Sequence, residues 1–355
     1  MTIRIDLAAL RRNWRRLADM SRPAECAAAV KADAYGLGIG RVVEALHAEG
    51  SRTFFVALPE EGVAVRNHAP DSVVYVLNGF FSKAENLYRR HDLRPVLNHP
   101  AELAIWTARG RGPSALHVDT GMNRLGFAMA DAMALRGSRA LADAGVGLVM
   151  SHFACAEEPD HPLNADQLSA ARELKDALGL PFSLANSAGI HLDRDAHFDM
   201  VRPGIALYGG RSAPDAHSET VVTATARVLQ IRQASAHETV GYGGTQRLTR
   251  DTRIAVLSAG YADFYPRSAG SADDLDGGWV IFGGHHHAPI LGRVSMDLLT
   301  VDVTGIPDDA VAVGSEAELF GPSLSIDALA DIAGTNAYEI LTRLGHRAHR
   351  FYEGA

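Results

Sequence analysis

The chain has 355 residues, of which 47% are hydrophobic and 21% charged, as in ordinary soluble globular proteins. The formal net charge of -8 argues against a nucleic-acid surface, and the arginine cluster in residues 11–16 is better explained as a solvated helix face. The chain lacks the ~20 consecutive apolar residues of a membrane helix and the apolar core of a signal peptide. We therefore expect a cytoplasmic protein, and because only Cys26 and Cys155 are present, we expect both to be reduced thiols.

Short apolar runs alternate with segments of helical periodicity in the first part of the chain. The predicted strands are residues 27–30, 53–58, 73–77, 94–97, 115–118, 146–150, 182–185 and 200–207. The predicted helices include residues 41–47, 59–67, 100–109, 130–144 and 164–178, several of which begin with a Pro or Asn start signal. Eight strands that each lead into a helix predict an α/β fold, a (β/α)8 TIM-like barrel over residues 8–217. An open doubly wound sheet is the alternative.

Residues 218–355 have a different pattern and predict a smaller, mostly-β domain. Apolar runs separated by Gly, Pro and Asp turns occupy residues 220–233, 253–257, 279–282, 288–291, 298–303 and 317–320, and one helix is predicted over residues 325–333. Three successive histidines, His285 to His287, would alternate faces on an extended strand. They therefore predict an exposed hairpin loop rather than a metal site.

A lysine stands at the end of the first predicted strand. Lysine is rarely buried without a partner, so Lys31 suggests chemistry, most simply a Schiff base with an aldehyde. In a barrel, side chains that follow the strand ends meet at the mouth where active sites lie. Lys31 and four further polar residues follow predicted strands and are expected to converge there: Arg124, His152, Ser187 and Arg202.

Eight sequence blocks, in order along nearly the whole chain, carry a family signature. They are AVKADAYGLG at 29–38, HVDTGMNRLG at 117–126, SHF at 151–153, NS at 186–187, VRPGI at 201–205, VGYG at 240–243, GYAD at 260–263 and GRVSMD at 292–297. Together they resemble the alanine racemase family, enzymes that use pyridoxal phosphate. The resemblance also implies that residues 1–7 pair with the β domain.

The resemblance assigns each part of pyridoxal 5'-phosphate to residues of this chain. Lys31 would hold the aldehyde, and His152 would orient Arg202 at the ring nitrogen. Arg124 would contact the phenolic oxygen and the substrate carboxylate. The phosphate would be bound by Tyr35, Ser187, Gly204 and Ile205, with Asn186 in the same turn and His346 nearby. Because arginine only donates hydrogen bonds, Arg202 would make the ring a weak electron sink and favour racemisation over transamination.

Racemisation needs two acid/base groups on opposite faces of the substrate Cα. Lys31 would serve one face, and the resemblance implies that Tyr261 of the partner subunit serves the other. The backbone N–H of Met296, also from the partner chain, would bind the substrate carboxylate. We therefore expect a homodimer with shared active sites, no metal, and no nucleic-acid or membrane partner. The expected reaction interconverts L- and D-alanine and supplies D-alanine for peptidoglycan.

The sequence departs from the family pattern at several positions near the expected site. His117 replaces a lysine that many members carbamylate to hold the active-site arginine, His346 replaces a tyrosine, and Phe264 replaces a glycine. The channel residues Glu157, Arg293 and Leu344 match the family in type. A broad-specificity or serine racemase therefore remains an alternative, as does a non-catalytic carrier of pyridoxal phosphate. A decarboxylase is disfavoured, because those enzymes place an acidic residue where Arg202 stands.

Overall fold

The computed structural model describes residues 1–109 and 112–354, which fold as two compact units. The barrel unit comprises Leu10–Leu207 and Arg211–Ser218. The sheet unit comprises Met1–Ala9, Tyr208–Gly210 and Glu219–Ala355. Every helix in the described residues is too short or too polar to span a bilayer.

The strands, in chain order, are β1 Thr2–Asp6, β2 Glu25–Cys26, β3 Ala28–Ala29, β4 Thr53–Val56, β5 Val73–Val76, β6 Leu93–Leu97, β7 Ser114–His117, β8 Val146–Met150, β9 Phe182–Ser183, β10 Met200–Val201, β11 Val222–Ala234, β12 Thr239–Val240, β13 Gln246–Arg247, β14 Thr252–Leu257, β15 Trp279–Phe282, β16 His286–Pro289, β17 Leu299–Asp302, β18 Glu316–Phe320 and β19 His349–Glu353. The α-helices are α1 Leu7–Ser21, α2 Ile39–Glu49, α3 Pro59–His68, α4 Glu85–Arg90, α5 Pro100–Arg109, α6 Met129–Met133, α7 Ala140–Asp143, α8 Pro162–Leu178, α9 Ile326–Ala333 and α10 Ala337–Thr342.

The barrel unit is built on parallel strands that neighbour each other in chain order. Strands β3 to β9 form one seven-stranded parallel sheet, and β10 pairs with β2, which directly precedes β3. Arg202, just after β10, donates its backbone N–H to the carbonyl of Ala185, just after β9. Strand β10 thus lies between β9 and β2 and closes the ring. The predicted barrel is confirmed, and it carries the carboxyl ends of its strands to one face.

One apolar cluster fills the inside of the barrel. Because side chains of a strand alternate between its two faces, each strand sends some residues inward and the others against the helices. The buried members of the cluster come from successive strands: Ala27, Phe55, Tyr75, Val96, Ala115, Leu148, Met150 and Met200. Because the interior is filled by side chains, a binding site can form only at the mouth of the barrel.

Two predicted elements of the barrel unit differ most from the observed ones. The predicted strand 200–207 ends at Val201, and Ile205–Tyr208 is a 3-10 turn. The N–H groups of Gly204 and Ala206 donate to a serine hydroxyl there, so that backbone is not part of the sheet. The predicted helix 130–144 is divided into α6 and α7. Gly137, between them, has φ +66, a conformation that ends a right-handed helix.

The sheet unit is mostly β, as predicted. An eight-stranded sheet has the order β16-β15-β18-β11-β1-β19, and β14 and β17 extend it from β11. Strand β1 pairs antiparallel with β11 and parallel with β19, so the N-terminal segment returns to this unit. Strands β15 and β16 form a hairpin that begins its turn at Gly283 and contains the three histidines.

Candidate active site

Lys31 opens a left-handed helical turn, Lys31–Tyr35, directly after the first barrel strand. Ala32, Asp33 and Ala34 have φ of 53, 55 and 54 and ψ near 50, and Tyr35 has φ 56. This conformation costs roughly 1–2 kcal/mol per non-glycine residue. Gly36 N–H donates to the carbonyl of Ala32 at 2.7 Å, and the Asp33 carboxylate accepts from the N–H of Ile39 at 2.8 Å. These bonds hold a backbone path that local sequence preference opposes.

The amine of Lys31 is held in a mostly buried, positively charged environment. Burial lowers the pKa of Lys31, repulsion from Arg124 lowers it further, and the Glu61 carboxylate partly opposes both. A lowered pKa raises the fraction of neutral amine at physiological pH, and the neutral amine is the form that attacks an aldehyde. The position therefore suits Schiff-base chemistry.

Arg202 lies buried beneath this mouth, and its guanidinium binds residues that end or directly follow β8 and β9. Its guanidinium donates to the Ser183 hydroxyl, to the Ser151 carbonyl at 2.6 Å and to Nδ1 of His152 at 3.2 Å. Burial lowers the pKa of Arg202 to about 9, so the group is still charged at neutral pH. The charged fork is therefore fixed in orientation and presents only donors.

His152 is neutral and its tautomer is set by Arg202. Burial lowers the pKa of His152 well below its ordinary value, and the charge of Arg202 adds to the effect. Because Nδ1 accepts from the guanidinium, the ring proton sits on Nε2. The histidine thus holds the arginine by accepting a hydrogen bond and adds no positive charge beside it.

Ser187 and Gly204 build a narrow backbone cradle at the adjacent strand ends. The buried Ser187 hydroxyl accepts from the N–H of Gly204 at 2.8 Å and of Ala206 at 3.3 Å. A Cβ on Gly204 would lie 2.2 Å from the hydroxyl oxygen of Tyr35, so only glycine allows this approach. Asn186, predicted in the same set, uses Oδ1 to accept from the N–H of Gly189 at 2.8 Å and shapes the turn.

Arg124 lies exposed in a loop that closes beside His117. The backbone N–H of Phe127 donates to the carbonyl of His117, and the N–H of Asp119 donates to the carbonyl of Phe127. His117 itself is buried, and its Nδ1 lies 2.8 Å from Oδ1 of Asn98. Burial, then Arg202 and Arg124, lower the pKa of His117 to about 4. The side chain at this departure from the family pattern is therefore a neutral imidazole.

Tyr261, Met296 and His346 belong to the sheet unit. The N–H of Tyr261 donates to the carbonyl of Ser295 at 3.1 Å, and the N–H of Ala262 donates to the carbonyl of Met296 at 3.0 Å. Tyr261 and Met296 are 44% and 52% exposed, and His346 is exposed as well. The structure thus joins the Tyr261 and Met296 loops by hydrogen bonds.

Phe264, which departs from the family pattern, occupies an unusual backbone position beside Tyr261. It has φ +150, which non-glycine residues rarely adopt. Its ring is buried and packs edge-on against Phe320, with ring centroids 5.4 Å apart. Packing of the aromatic ring therefore offsets the backbone strain that a glycine would avoid.

Comparison with known proteins decides the family. The family model described as "Alanine racemase, N-terminal domain" matches residues 5–212, and "Alanine racemase, C-terminal domain" matches residues 221–352. The chain belongs to the alanine racemase family. An alanine racemase from Rhizobium meliloti (strain 1021) is 45% identical over 369 residues, which cover 99% of this chain and 96% of that protein. A biosynthetic alanine racemase from Agrobacterium fabrum is 44% identical over 366 residues, which cover 99% and 93%.

Solved structures of alanine racemases share the whole fold. The enzyme from Bartonella henselae, crystallised with covalently bound pyridoxal phosphate, has a TM-score of 0.92 and 36% identity, with 99% of both chains covered. The biosynthetic enzyme from Pseudomonas aeruginosa has a TM-score of 0.90 and 35% identity, with the same coverage. The predicted family and fold class are confirmed.

The residues of the barrel mouth fit the cofactor that the alanine racemase family uses. A half-buried amine with a lowered pKa suits the aldehyde. The Ser187 oxygen accepts from the N–H groups of Gly204 and Ala206, so its own hydroxyl proton is left to donate to a phosphate. Arg202 offers donors to a ring nitrogen.

Sequence reasoning missed the side chains that position the predicted site residues. Asn98 fixes the ring of His117, Ser183 binds Arg202, and Glu61 binds the backbone beside Lys31. The Pro59-Glu60-Glu61 start of α3 was a usable signal for the last of these, because a glutamate at the third helical position caps backbone N–H groups.

Proposed function

We propose that this member of the alanine racemase family interconverts L- and D-alanine by a two-base mechanism in a homodimer with shared active sites. The predicted class, a pyridoxal phosphate-dependent alanine racemase, agrees with every relative named above, including two described as biosynthetic. The observation that carries the residue assignment is the Lys31 amine, whose pKa is lowered by burial beside Arg124. The assignment of individual residues is our proposal.

Binding and orientation fall to residues at the barrel mouth. Pyridoxal phosphate, when bound, withdraws electrons from the substrate Cα and makes its proton removable. Ser187, Gly204, Ile205 and Tyr35 would hold the phosphate. Arg202 would donate to the ring nitrogen and leave it unprotonated, which favours prompt return of a proton to Cα. Arg124 and the backbone N–H of Met296 of the partner subunit would hold the substrate carboxylate.

Two groups would move the proton at Cα. Nζ of Lys31 would take or give the proton on one face. The phenol oxygen of Tyr261 of the partner subunit would do so on the other face. Inversion follows because the proton leaves from one side and returns from the opposite side.

Exposed large side chains on the sheet unit support the homodimer. Tyr261, Met296 and Tyr242 of the sheet unit are 44%, 52% and 71% exposed, which is high for large apolar side chains. A partner subunit would cover them and complete the substrate site. We place the enzyme in the cytoplasm, where its two unpaired cysteines stay reduced, and we assign its D-alanine to peptidoglycan.

The covalent attachment of the cofactor tests the central assignment. Purified protein loaded with pyridoxal phosphate is reduced with borohydride, digested and mapped by mass spectrometry, and kcat/KM is measured for alanine and serine. We expect the adduct on Lys31, its loss in Lys31→Ala, and a preference for alanine. An adduct on another residue contradicts the assignment, a clear preference for serine identifies a serine racemase, and attachment without racemisation identifies a carrier.

Complementation between two inactive variants tests the shared site. Lys31→Ala and Tyr261→Ala chains carrying different affinity tags are mixed, and the heterodimer is purified through both tags. One of its two sites would then contain both wild-type bases, so we expect up to about half of the activity of the wild-type dimer. Heterodimers that form and remain inactive contradict a Tyr261 supplied by the partner.

A further inference from the structure

Glu61 of α3 places its carboxylate between two neighbouring strand ends of the barrel. Oε1 accepts from the N–H of Ala32 at 2.6 Å, and Oε2 accepts from the N–H groups of Ala57 at 2.8 Å and Leu58 at 3.1 Å. Ala32 follows β3, whereas Ala57 and Leu58 follow β4. One carboxylate therefore bridges the residue next to Lys31 and the end of the adjacent strand.

The bond to Ala32 acts at the start of the left-handed turn. Ala32 is the first left-handed residue after Lys31, and its N–H points away from the hydrogen-bond pattern of the turn toward Glu61. A charged acceptor forms a stronger bond to a backbone N–H than a neutral one. Glu61 is thus placed to fix the direction in which the turn leaves the strand. That direction sets the backbone position from which the Lys31 side chain extends.

The charge of Glu61 also acts on the amine. The groups that influence the pKa of Lys31 are Arg124, which lowers it, and Glu61, which raises it, in addition to burial. His152 also feels the charge of Lys31, and burial keeps that imidazole neutral. Among these groups Glu61 supplies the opposing negative charge.

We propose that Glu61 is a positioning residue for Lys31, which holds the left-handed turn against the end of β4 and keeps a negative charge beside the amine. The inference rests on the proposed role of Lys31 and deepens it. Glu61 would act through the backbone and the field, without touching the substrate.

Glu102 of α5 provides a matched comparison within the same barrel. Its Oε1 accepts from the N–H of Phe80 at 3.1 Å, and its Oε2 accepts from the N–H of Asn98 at 2.7 Å. Both glutamates follow a Pro at the helix start by two residues, so both bridge successive strand ends in the same way. Glu102 serves other strands and does not influence the pKa of Lys31.

Glu61→Gln separates the two bridging contacts. Glutamine has one acceptor oxygen, which we expect at the Ala57 and Leu58 side because two donors meet there. Its amide nitrogen would then face the N–H of Ala32 and could not accept from it. Glu102→Gln makes the same chemical change at the comparison position, and Glu61→Asp keeps the charge but shortens the reach by one methylene.

Two measurements on the full-length chain test the proposal without using activity. Amide hydrogen exchange at Ala32 should become about tenfold faster or more in Glu61→Gln and Glu61→Asp, and remain unchanged in Glu102→Gln. After the cofactor is stripped, the rate at which pyridoxal phosphate attaches to Lys31 is measured against pH. The pH midpoint of this rate reports the pKa of the Lys31 amine. It should move to lower pH in Glu61→Gln and stay near the wild-type value in Glu61→Asp.

The outcomes distinguish this inference from the proposed function. Unchanged exchange at Ala32 together with an unmoved midpoint in Glu61→Gln overturns the role of Glu61. An equal change in Glu102→Gln also overturns it, because the effect would then be a general loss of bridging. If wild-type protein attaches the cofactor elsewhere, the role of Lys31 fails, while exchange at Ala32 still reports on Glu61.

Discussion

Oδ1 of Asn98 lies 2.8 Å from Nδ1 of His117 and fixes the tautomer of that ring. The amide nitrogen of Asn98 donates to the carbonyls of Leu77 and Val96, so its oxygen is the atom that faces the histidine. Nδ1 therefore carries the proton. Because the pKa of His117 is lowered to about 4, Nε2 is an unprotonated acceptor at neutral pH. Position 117, a departure from the family pattern, thus offers a neutral lone pair.

Asn98→Asp should turn this neutral ring into a cation. A carboxylate beside Nδ1 favours the imidazolium, and the new charge would repel Arg124 and Arg202. We expect kcat/KM for alanine at pH 7 to fall by roughly ten- to a hundredfold and to recover as the pH is raised past the new pKa of His117. The pH profile of kcat/KM is the measurement. A profile parallel to that of the wild type would show that the protonation state of His117 is unimportant.

The buried histidines should make the fold sensitive to mild acid. The folded-state pKa of His117 is about 4, below its unfolded value of 6.5, so the unfolded chain binds more protons between these values. The stabilisation is complete above about pH 6.5 and is lost as the pH falls toward 4. Between pH 7 and 4, we expect the wild type to lose up to about 3 kcal/mol more than His117→Gln. Urea unfolding against pH measures this difference, and superimposable curves would contradict it.

Gly204→Ala should impair cofactor binding by filling the space next to Tyr35. The added Cβ would lie 2.2 Å from the phenol oxygen, so the buried ring or the cradle backbone must shift. Overpacking of this kind costs about 1–3 kcal/mol, and we expect weaker equilibrium binding of pyridoxal phosphate together with a lower Tm. Gly147→Ala is the control, because its Cβ meets nothing within 4 Å. Equal affinities for the cofactor in both variants would rule out the cradle.

Tyr261→Phe should separate hydrogen exchange from inversion. Without the phenol oxygen, Lys31 could still remove and return the α-proton on its own face. We expect racemisation to fall by about 10²–10⁴-fold while one enantiomer of alanine, and only one, still takes up solvent deuterium at Cα. Nuclear magnetic resonance and chiral chromatography follow the two processes. Equal loss of exchange for both enantiomers would indicate that Tyr261 does not serve one face.

The sequence was informative where structure follows local patterns. Apolar runs located the barrel strands, and Lys31, Ser187 and Arg202 follow strand ends as expected. Residues 31–35 could not be predicted, because Ala-Asp-Ala-Tyr has no local preference for a left-handed turn, and contacts such as Ala32 with Glu61 hold it. The hydrogen bond between Asn98 and His117 could not be predicted either, because it joins side chains from two different strand ends. Gly137 is a helix breaker that the sequence does show, in the middle of the predicted helix 130–144.

Hydrogen bonds between the Tyr261 and Met296 loops join the two residues that we propose for proton transfer and for binding the substrate carboxylate. A Cβ at Gly260 would lie 2.3 Å from the carbonyl oxygen of Met296, so the loops touch without room for a side chain. A movement of this backbone would then shift the Tyr261 phenol and the Met296 N–H together, toward the substrate or away from it. A small molecule bound between these two loops would therefore displace Tyr261 and Met296 together, through contacts with the sheet unit alone.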